Sequence, residues 1–221
     1  MAKVLILAEG QTEAFFVTRL LDPYLAVHNV FPKVTLVPTK KVPDGPDFKG
    51  GTISYSKTKL LLRKLLNDTS AALVTTLFDF YGLRDDFPKP KRGSCYEKVA
   101  ELERLIGQEF DNNPRLLPYF CLYEFEAMLF VKPDELAAVL GRDHLSARFQ
   151  AIKSLFPSPE EINDDPETAP SKRIIELVPD YRKIAHGISA LEKITIDAVR
   201  SECLHFNEWL TKLEELGHTS S

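Results

Sequence analysis

The chain is poor in cysteine, with three in 221 residues: Cys95, Cys121 and Cys203. They lie far apart and none forms a CxxC pair, which argues against a structural zinc site. Such usage fits a reducing compartment, so a cytoplasmic location is expected. Long apolar runs are also missing. Nothing approaches the roughly 20 residues of a membrane span, and Val4 to Ala8 is too short for the hydrophobic part of a signal peptide. A soluble protein without membrane association is expected. Positive charge is not in excess either, with Lys+Arg 28 against Asp+Glu 32 and a net charge of −4. The balance does not advertise nucleic-acid binding, although divalent metals and local basic patches can carry a phosphate backbone. There is no internal repeat and no low-complexity tract. What is present is ordinary globular material, 44% hydrophobic and 27% charged. The length suits one domain, or one domain with a sizeable insertion.

The hydrophobic pattern alternates strands and helices. Val4-Leu5-Ile6-Leu7-Ala8 reads as a short buried strand. A helix is expected over residues 12–25, with Thr12 as its cap and Pro23 ending or bending its last turn. A second strand fits residues 33–38. Residues 40–56 read as a long loop, a class usually functional or disordered. Residues 57–66 form a basic helix with a leucine face. Residues 72–78 are a third buried strand, 81–93 a charged and proline-rich loop, and 96–108 an amphipathic helix. A fourth strand is expected over 116–123, followed by a helix over 124–130 and another opened by Pro133. From Asp143 onward the pattern is helical, interrupted by an extended loop over 158–172. Segments 174–177, 187–201 and 204–216 look helical. Repeated strand–helix alternation predicts a mostly parallel sheet with helices on both faces. The α/β pattern gives out near residue 140, so residues 1–140 are expected to form the α/β domain and 141–221 a helical region packed on it.

Three of the expected strands end in acids: Glu9, Asp79 and Glu124, with Glu126 close behind. In a parallel sheet all C-terminal strand ends lie along one edge, where α/β folds place their chemistry. Carboxylates buried there are costly unless a metal or cation pairs with them. Oxygen ligands of this kind suit magnesium or manganese, and paired ions can clamp an in-line phosphoryl displacement. The plainer reading is that acids at strand ends cap helices or face solvent. Glu13 in particular fits a first-turn acid favoured by the helix dipole.

The segment Ala8-Glu9-Gly10-Gln11-Thr12-Glu13 resembles the first motif of Toprim-type metal nucleases, including those of the overcoming-lysogenization-defect class. Leu77-Phe78-Asp79-Phe80-Tyr81-Gly82-Leu83 sits where that fold has its second acidic motif. Nearly the whole chain resembles a bacterial family of unknown function, number 4276. The pieces are Glu-Gly-Gln-Thr-Glu, Phe-Asp-Phe-Tyr-Gly, Leu-Tyr-Glu-Phe-Glu-Ala-Met-Leu-Phe from Leu122, the stretch from Ile162 to Arg173, and Cys203 through Trp209. The resemblance implies a Toprim-like fold, a mostly parallel sheet flanked by helices with a helical C-terminal half. It also implies a setting in anti-phage defence beside an ATPase partner. Carried over by position, it makes Glu9 a metal ligand or general acid/base, Asp79 the second metal ligand, and Glu124 or Glu126 the third. Glu13 joins the candidate ligands. Lys172 becomes the candidate for neutralising transition-state charge. One departure stands out: Toprim domains usually carry two aspartates flanking one residue, and Tyr81 occupies the second place here. Asp85, or Asp86 beside it, is the candidate substitute.

The expected function is Mg²⁺- or Mn²⁺-dependent cleavage of nucleic-acid phosphodiester bonds. The alternative is a non-catalytic module acting as sensor or regulator with an ATPase. Phe78-Asp79-Phe80-Tyr81-Gly82 also superficially matches the nucleophile loop of haloacid-dehalogenase-type phosphatases. That chemistry needs a second acid, for which Tyr81 is a poor replacement. Two basic stretches could track phosphates: Lys40, Lys41, Lys57, Lys59, Arg63 and Lys64, and then Arg84, Lys89, Lys91 and Arg92. Simple solvated faces are the commoner reading of such runs. Tyr55 and Tyr81 could stack on bases, though packing suits each better. His186 and His205 could approach the site from the helical half, with structural roles favoured. Cys203 reads as a buried small hydrophobe, Trp209 as an anchor for the last helix, and Ser171 as a helix cap. The acidic loop of Asn163, Asp164, Asp165 and Glu167 could fold over the site as a lid.

Overall fold

A computed structural model describes residues 1–37, 54–163 and 168–218 of the 221. The expected lid residues Asp164, Asp165 and Glu167 lie outside the described residues, as do Lys40 and Lys41 and most of the expected 40–56 loop.

The centre is a parallel sheet. β1 (Ala2–Ala8) pairs on one side with β2 (Val30–Leu36) and on the other with β3 (Leu73–Asp79). Two short strands, β4 (Leu116–Leu117) and β5 (Phe120–Cys121), both add to the outer side of β3. The order is β2-β1-β3-β4, with β5 continuing the line of β4 along β3. The single strand expected over 116–123 is thus broken in two. Pro118 sits at the break and has no N–H for a ladder. The Thr76 hydroxyl fills the gap. It donates to the Tyr119 carbonyl at 2.7 Å and accepts from the Tyr119 N–H at 2.8 Å.

Alternate residues of the strands face opposite sides, as the period of two requires. Val4, Ile6, Leu73 and Leu77 point into one apolar cluster, and Leu5, Leu7, Val74 and Phe78 into the other. The second cluster is closed by α3 (Tyr55–Leu66) and α4 (Cys95–Glu109), which the leucine face and the 96–108 pattern placed within two residues at each end. The first helical segment covers the opposite face. It runs as α1 (Gln11–Phe16), a wider turn over Val17–Leu21, and α2 (Asp22–Ala26). Pro23 offers no N–H to the ladder, and just before it the Asp22 N–H reaches back to the Val17 carbonyl, one residue further than α-helical pairing. The cap of α1 is Gly10, not Thr12.

The C-terminal half is helical. It contains α5 (Pro133–Val139), α6 (Ser146–Lys153), α7 (Pro170–Leu177), α8 (Ile188–Ile194), α9 (Ile196–Glu202) and α10 (Leu204–Glu215). The helix expected over 187–201 is split between α8 and α9 at Thr195, whose φ of 75° lies outside helical space. The first core cluster spans Ala2 to Leu213 without a break, so residues on both sides of position 140 bury their apolar faces together. Trp209 shows how. It is buried on α10, stacks on Tyr119 with ring centres 4.5 Å apart, and donates its indole N–H to Thr75 on β3 at 2.9 Å. The mostly parallel sheet, its flanking helices and the helical second half are therefore all present. Among the described residues, no helix is long and apolar enough to cross a membrane.

Candidate functional site

The C-terminal ends of β1, β3 and β5 lie side by side, and the chain carries them on past the strands. Glu9 donates its N–H to the Leu77 carbonyl, Phe80 to Cys121, and Tyr81 to Tyr123. Glu9, Asp79 and Glu124 are thereby set along one edge. Glu126 follows on a 3₁₀ turn (Phe125–Val131) and is 2% exposed. Glu13 comes from the first turn of α1 and is 9% exposed.

Glu13 is both a cap and a member of the cluster. Its Oε2 accepts the Gly10 N–H at 2.8 Å and so caps the start of α1. A Cβ at position 10 would lie 3.1 Å from that oxygen, so a glycine there lets the carboxylate close in. The Asp79 Oδ1 accepts the Phe125 N–H at 2.8 Å. Glu124 Oε2 accepts the Ser171 N–H at 2.9 Å, which ties the site to the start of α7. Ser171 contributes its backbone there rather than a side-chain cap.

Electrostatics bind these acids into one unit. Burial pushes the Asp79 carboxyl well above its usual range, and the charges of Glu13, Glu126 and Glu9 add to that. Burial first, then Glu9 and Glu126, raise Glu13 to about 7. Glu9 is raised by burial, against the pull of a backbone hydrogen bond from Asp79 and the charge of Lys183. Glu126 is raised by burial and partly held down by Lys183. The cause common to all four is burial, which disfavours the charged form; like charge adds to it at Glu13, Asp79 and Glu126.

The cation that partly offsets this is Lys183, whose Nζ stands 2.8 Å from Glu126 Oε1. Burial lowers the Lys183 pKa, but Glu126, Glu124 and Asp79 more than reverse that and leave it raised. The Lys183 side chain is 46% exposed, so its head group keeps water on one side. Sequence reasoning missed this residue and chose Lys172. Lys172 is exposed on α7 and makes no ion pair among the described residues. The only forewarning was that Lys183 lies three residues before His186, already suspected of nearing the site. The turn carrying it, Lys183–Gly187, is wider than α-helical, a feature frequent at functional sites. Tyr181 lies close to Glu126 and Glu124 electrostatically, and its buried hydroxyl has no hydrogen-bond partner among the described residues. A Cβ at Gly187 would come within 3.0 Å of that hydroxyl.

Several expected members stay outside. The Asp85 side chain is wholly exposed and pairs with Lys89 at 3.4 Å, four residues along its own loop. Asp86 accepts the Tyr55 N–H at 2.9 Å and so pins the start of α3. Neither fills the place that Tyr81 leaves empty; buried acid comes from Glu13 and Glu126 instead. His186 accepts the Arg182 N–H through Nδ1, and His205 pairs with Glu103 at 3.0 Å while stacked on Tyr119. Tyr55 is buried against Phe87 with its hydroxyl on Glu109. Glu160, another buried acid, has no part in the cluster: it takes the N–H groups of His205 and Phe206 at 2.9 Å each and caps α10.

The donors gathered at the edge are carboxylate oxygens, the chemistry that Mg²⁺ and Mn²⁺ take. Among the described residues, no three His, Cys, Asp or Glu side chains are grouped so as to grip an ion as they stand. Glu13, Asp79, Glu124 and Glu126 each direct an oxygen at a donor of the protein itself. The donor type fits a hard divalent cation; the grouping of the described residues as it stands does not.

The chain belongs to the family described as Domain of unknown function (DUF4276), a model of which matches residues 8–214. No curated protein matches the chain. Among solved structures, it is similar to the C-terminal region of the Burkholderia pseudomallei OLD protein. That similarity covers 97% of this chain and 99% of the other at 14% identity, with a TM-score of 0.48.

Proposed function

We propose that the edge cluster is a divalent-cation site and that the protein cleaves phosphodiester bonds of nucleic acid with Mg²⁺ or Mn²⁺. The observation that carries the reading is the charge imbalance. Glu9, Glu13, Asp79 and Glu126 act on one another inside the fold, with Lys183 as their ion-paired cation. Buried carboxylates in such number are stable only with a proton, a cation or a metal. Glu9 and Asp79 would hold the ion, with Glu126 and Glu13 beside them. Glu124 and Asp85, also read as ligands from the sequence, are not needed for this assignment. When bound, a divalent ion supplies Lewis acidity and charge neutralisation at a phosphoryl group.

The chain's own residues then have distinct parts. Lys183 is placed to steady negative charge that develops beside Glu126, the part the motif resemblance gave to Lys172. Glu13 holds a proton near neutral pH and can release it without leaving its cap. The family resemblance supports a setting in anti-phage defence beside an ATPase, and the sparse cysteines support a reducing compartment such as the cytoplasm. We keep the division into residues 1–140 and 141–221 as a proposal about chain order, since both parts share one core.

One observation favours the alternative, a non-catalytic sensor or regulator of an ATPase. Glu13 and Asp79 accept internal N–H groups, and among the described residues no three such side chains are grouped for an ion. The deciding assay is incubation of plasmid DNA and of tRNA with Mg²⁺ or Mn²⁺, using wild type and Asp79→Asn. Metal-dependent cutting that disappears in the variant supports the nuclease. Intact substrates in both, with the ATPase partner present, would shift the assignment to the regulator.

A further inference from the structure

The chain between β3 and α4 is held at the acid edge by both ends. At its start the Phe80 and Tyr81 N–H groups donate to the Cys121 and Tyr123 carbonyls at 3.0 and 3.2 Å. Gly82 then passes Glu9 so closely that a Cβ there would lie 3.5 Å from Oε1 of that carboxylate. At the far end Ser94 caps α4. Cys95 beside it donates its thiol to the Leu122 carbonyl at 2.8 Å, two residues before Glu124. The middle is anchored from below. Leu83 and Phe87 are buried in the second core cluster, with the Phe87 ring 4.9 Å from Tyr55. Lys89 Nζ donates to the Leu83 carbonyl at 2.8 Å. Pro88 and Pro90 fix their own φ and extend the residues before them, and residues 88–90 run without turn or bend.

A loop so anchored presents its charges outward. Between Phe80 and Ser94 it carries four cations, Arg84, Lys89, Lys91 and Arg92, against two acids, Asp85 and Asp86. Both acids are engaged, Asp85 with Lys89 and Asp86 with the Tyr55 N–H. Arg84, Lys91 and Arg92 are exposed and make no ion pair or side-chain hydrogen bond among the described residues. The loop is thus net positive on a chain of net charge −4. It stands beside carboxylates that would by themselves repel an approaching polyanion.

We propose that this loop is the track for the substrate's backbone, on which Arg84, Lys91 and Arg92 bind the phosphates that follow the one at the acid edge. The proposal rests on the nuclease reading and extends it to how the substrate is held. Leu83 and Phe87 sit in the cluster on one face of the sheet. Tyr181 and Ile188, on either side of Lys183 in sequence, sit in the cluster on the other. The substrate strand therefore crosses the edge from Lys183 to the loop. Exposed guanidinium and ammonium groups on an extended, pre-ordered stretch suit a repeating anion, and arginine can take a phosphate through two N–H groups. Phosphate contacts carry no sequence information, so the loop selects a nucleic-acid backbone and not a sequence.

The test is fluorescence anisotropy with Mn²⁺ and cleavage-resistant phosphorothioate oligonucleotides. A DNA duplex and a single-stranded RNA, each in two unrelated sequences, are titrated with KCl from about 50 to 200 mM. Arg84→Gln, Lys91→Gln and Arg92→Gln should each flatten the slope of log affinity against log salt, by about 0.9 on duplex and about 0.7 on single strand. The triple variant should flatten it about three times as much, and both sequences of each kind should respond alike. Lys64→Gln should leave the slope unchanged. Lys64 is exposed in the last turn of α3, which leads to the N-terminal end of β3 and so to the opposite edge of the sheet. Mn²⁺ binding by calorimetry and the thermal midpoint should persist in every variant, which separates the track from the metal site and from the fold. A wild-type slope in the triple variant would overturn the proposal while leaving the nuclease reading intact. So would a Lys64→Gln slope as flat as that of Arg84→Gln, because the effect would then follow net charge alone. Flattened slopes without any Mn²⁺ binding by wild type would support the track and sink the metal nuclease. A wild type that binds Mn²⁺ but neither kind of oligonucleotide would overturn both.

Discussion

Glu13 shows how much one side chain can carry. It caps α1 through Gly10 and also shares the field of Glu9 and Glu126, with its pKa raised to about 7. A carboxyl raised in the folded state binds a proton there that the unfolded chain has already lost. Its contribution to stability is complete below about pH 4.5 and is lost as pH rises towards 7. Glu13→Gln keeps an oxygen for the Gly10 N–H and removes the titration. Between pH 4.5 and 7, the stability of this variant relative to wild type should therefore rise, as read by urea melts in metal-free buffer. A constant difference across that window would show that Glu13 is not perturbed. Lys183 is the counterpart. Lys183→Met leaves Glu126 buried without its cation and should cost about 1–2 kcal/mol at pH 8. That is less than the ~3–5 kcal/mol for breaking a fully buried pair, because the ammonium is half exposed. Urea unfolding at pH 8 would check it, and an unchanged midpoint would mean that Glu126 is already neutral.

At the scale of elements, strands were legible where apolar runs were continuous and blurred where polar contacts took over. β1 and β3 were expected within two residues at each end, because every position in them except Lys3 and Asp79 is apolar or threonine and nearly all are buried. The fourth strand was not, because the break at Pro118 is bridged by a threonine hydroxyl from β3, a contact that no local pattern encodes. The same holds for the site. That Glu9 and Asp79 lie along one edge, with Glu126 just beyond, was legible because strand ends in a parallel sheet must share an edge. Lys183 could not, because its placement depends on how the segment between α7 and α8 packs. Asp85 was misread because closeness in sequence to Asp79 counts for nothing once its loop turns to solvent. Trp209 as the anchor of the last helix was legible from size alone, while its partner Thr75, 134 residues away, was not. Trp209→Ala should destabilise the fold by about 3–5 kcal/mol, since it removes a buried ring together with its hydrogen bond. A loss below about 1 kcal/mol in chemical denaturation would mean that α10 is held by its other contacts.

The whole molecule is a parallel sheet whose helical second half closes one face and also delivers Lys183 to the acid edge. The fold thus brings the acid cluster together from distant parts of the chain, from Glu9 to Lys183. The central claim is that a divalent cation completes it. Calorimetric titration of Mn²⁺ into wild type, Glu9→Ala and Asp85→Ala at neutral pH tests this most directly. The account predicts saturable binding in wild type and Asp85→Ala, and none in Glu9→Ala. Absence of binding in wild type at millimolar Mn²⁺, or equal binding in Glu9→Ala, would contradict it.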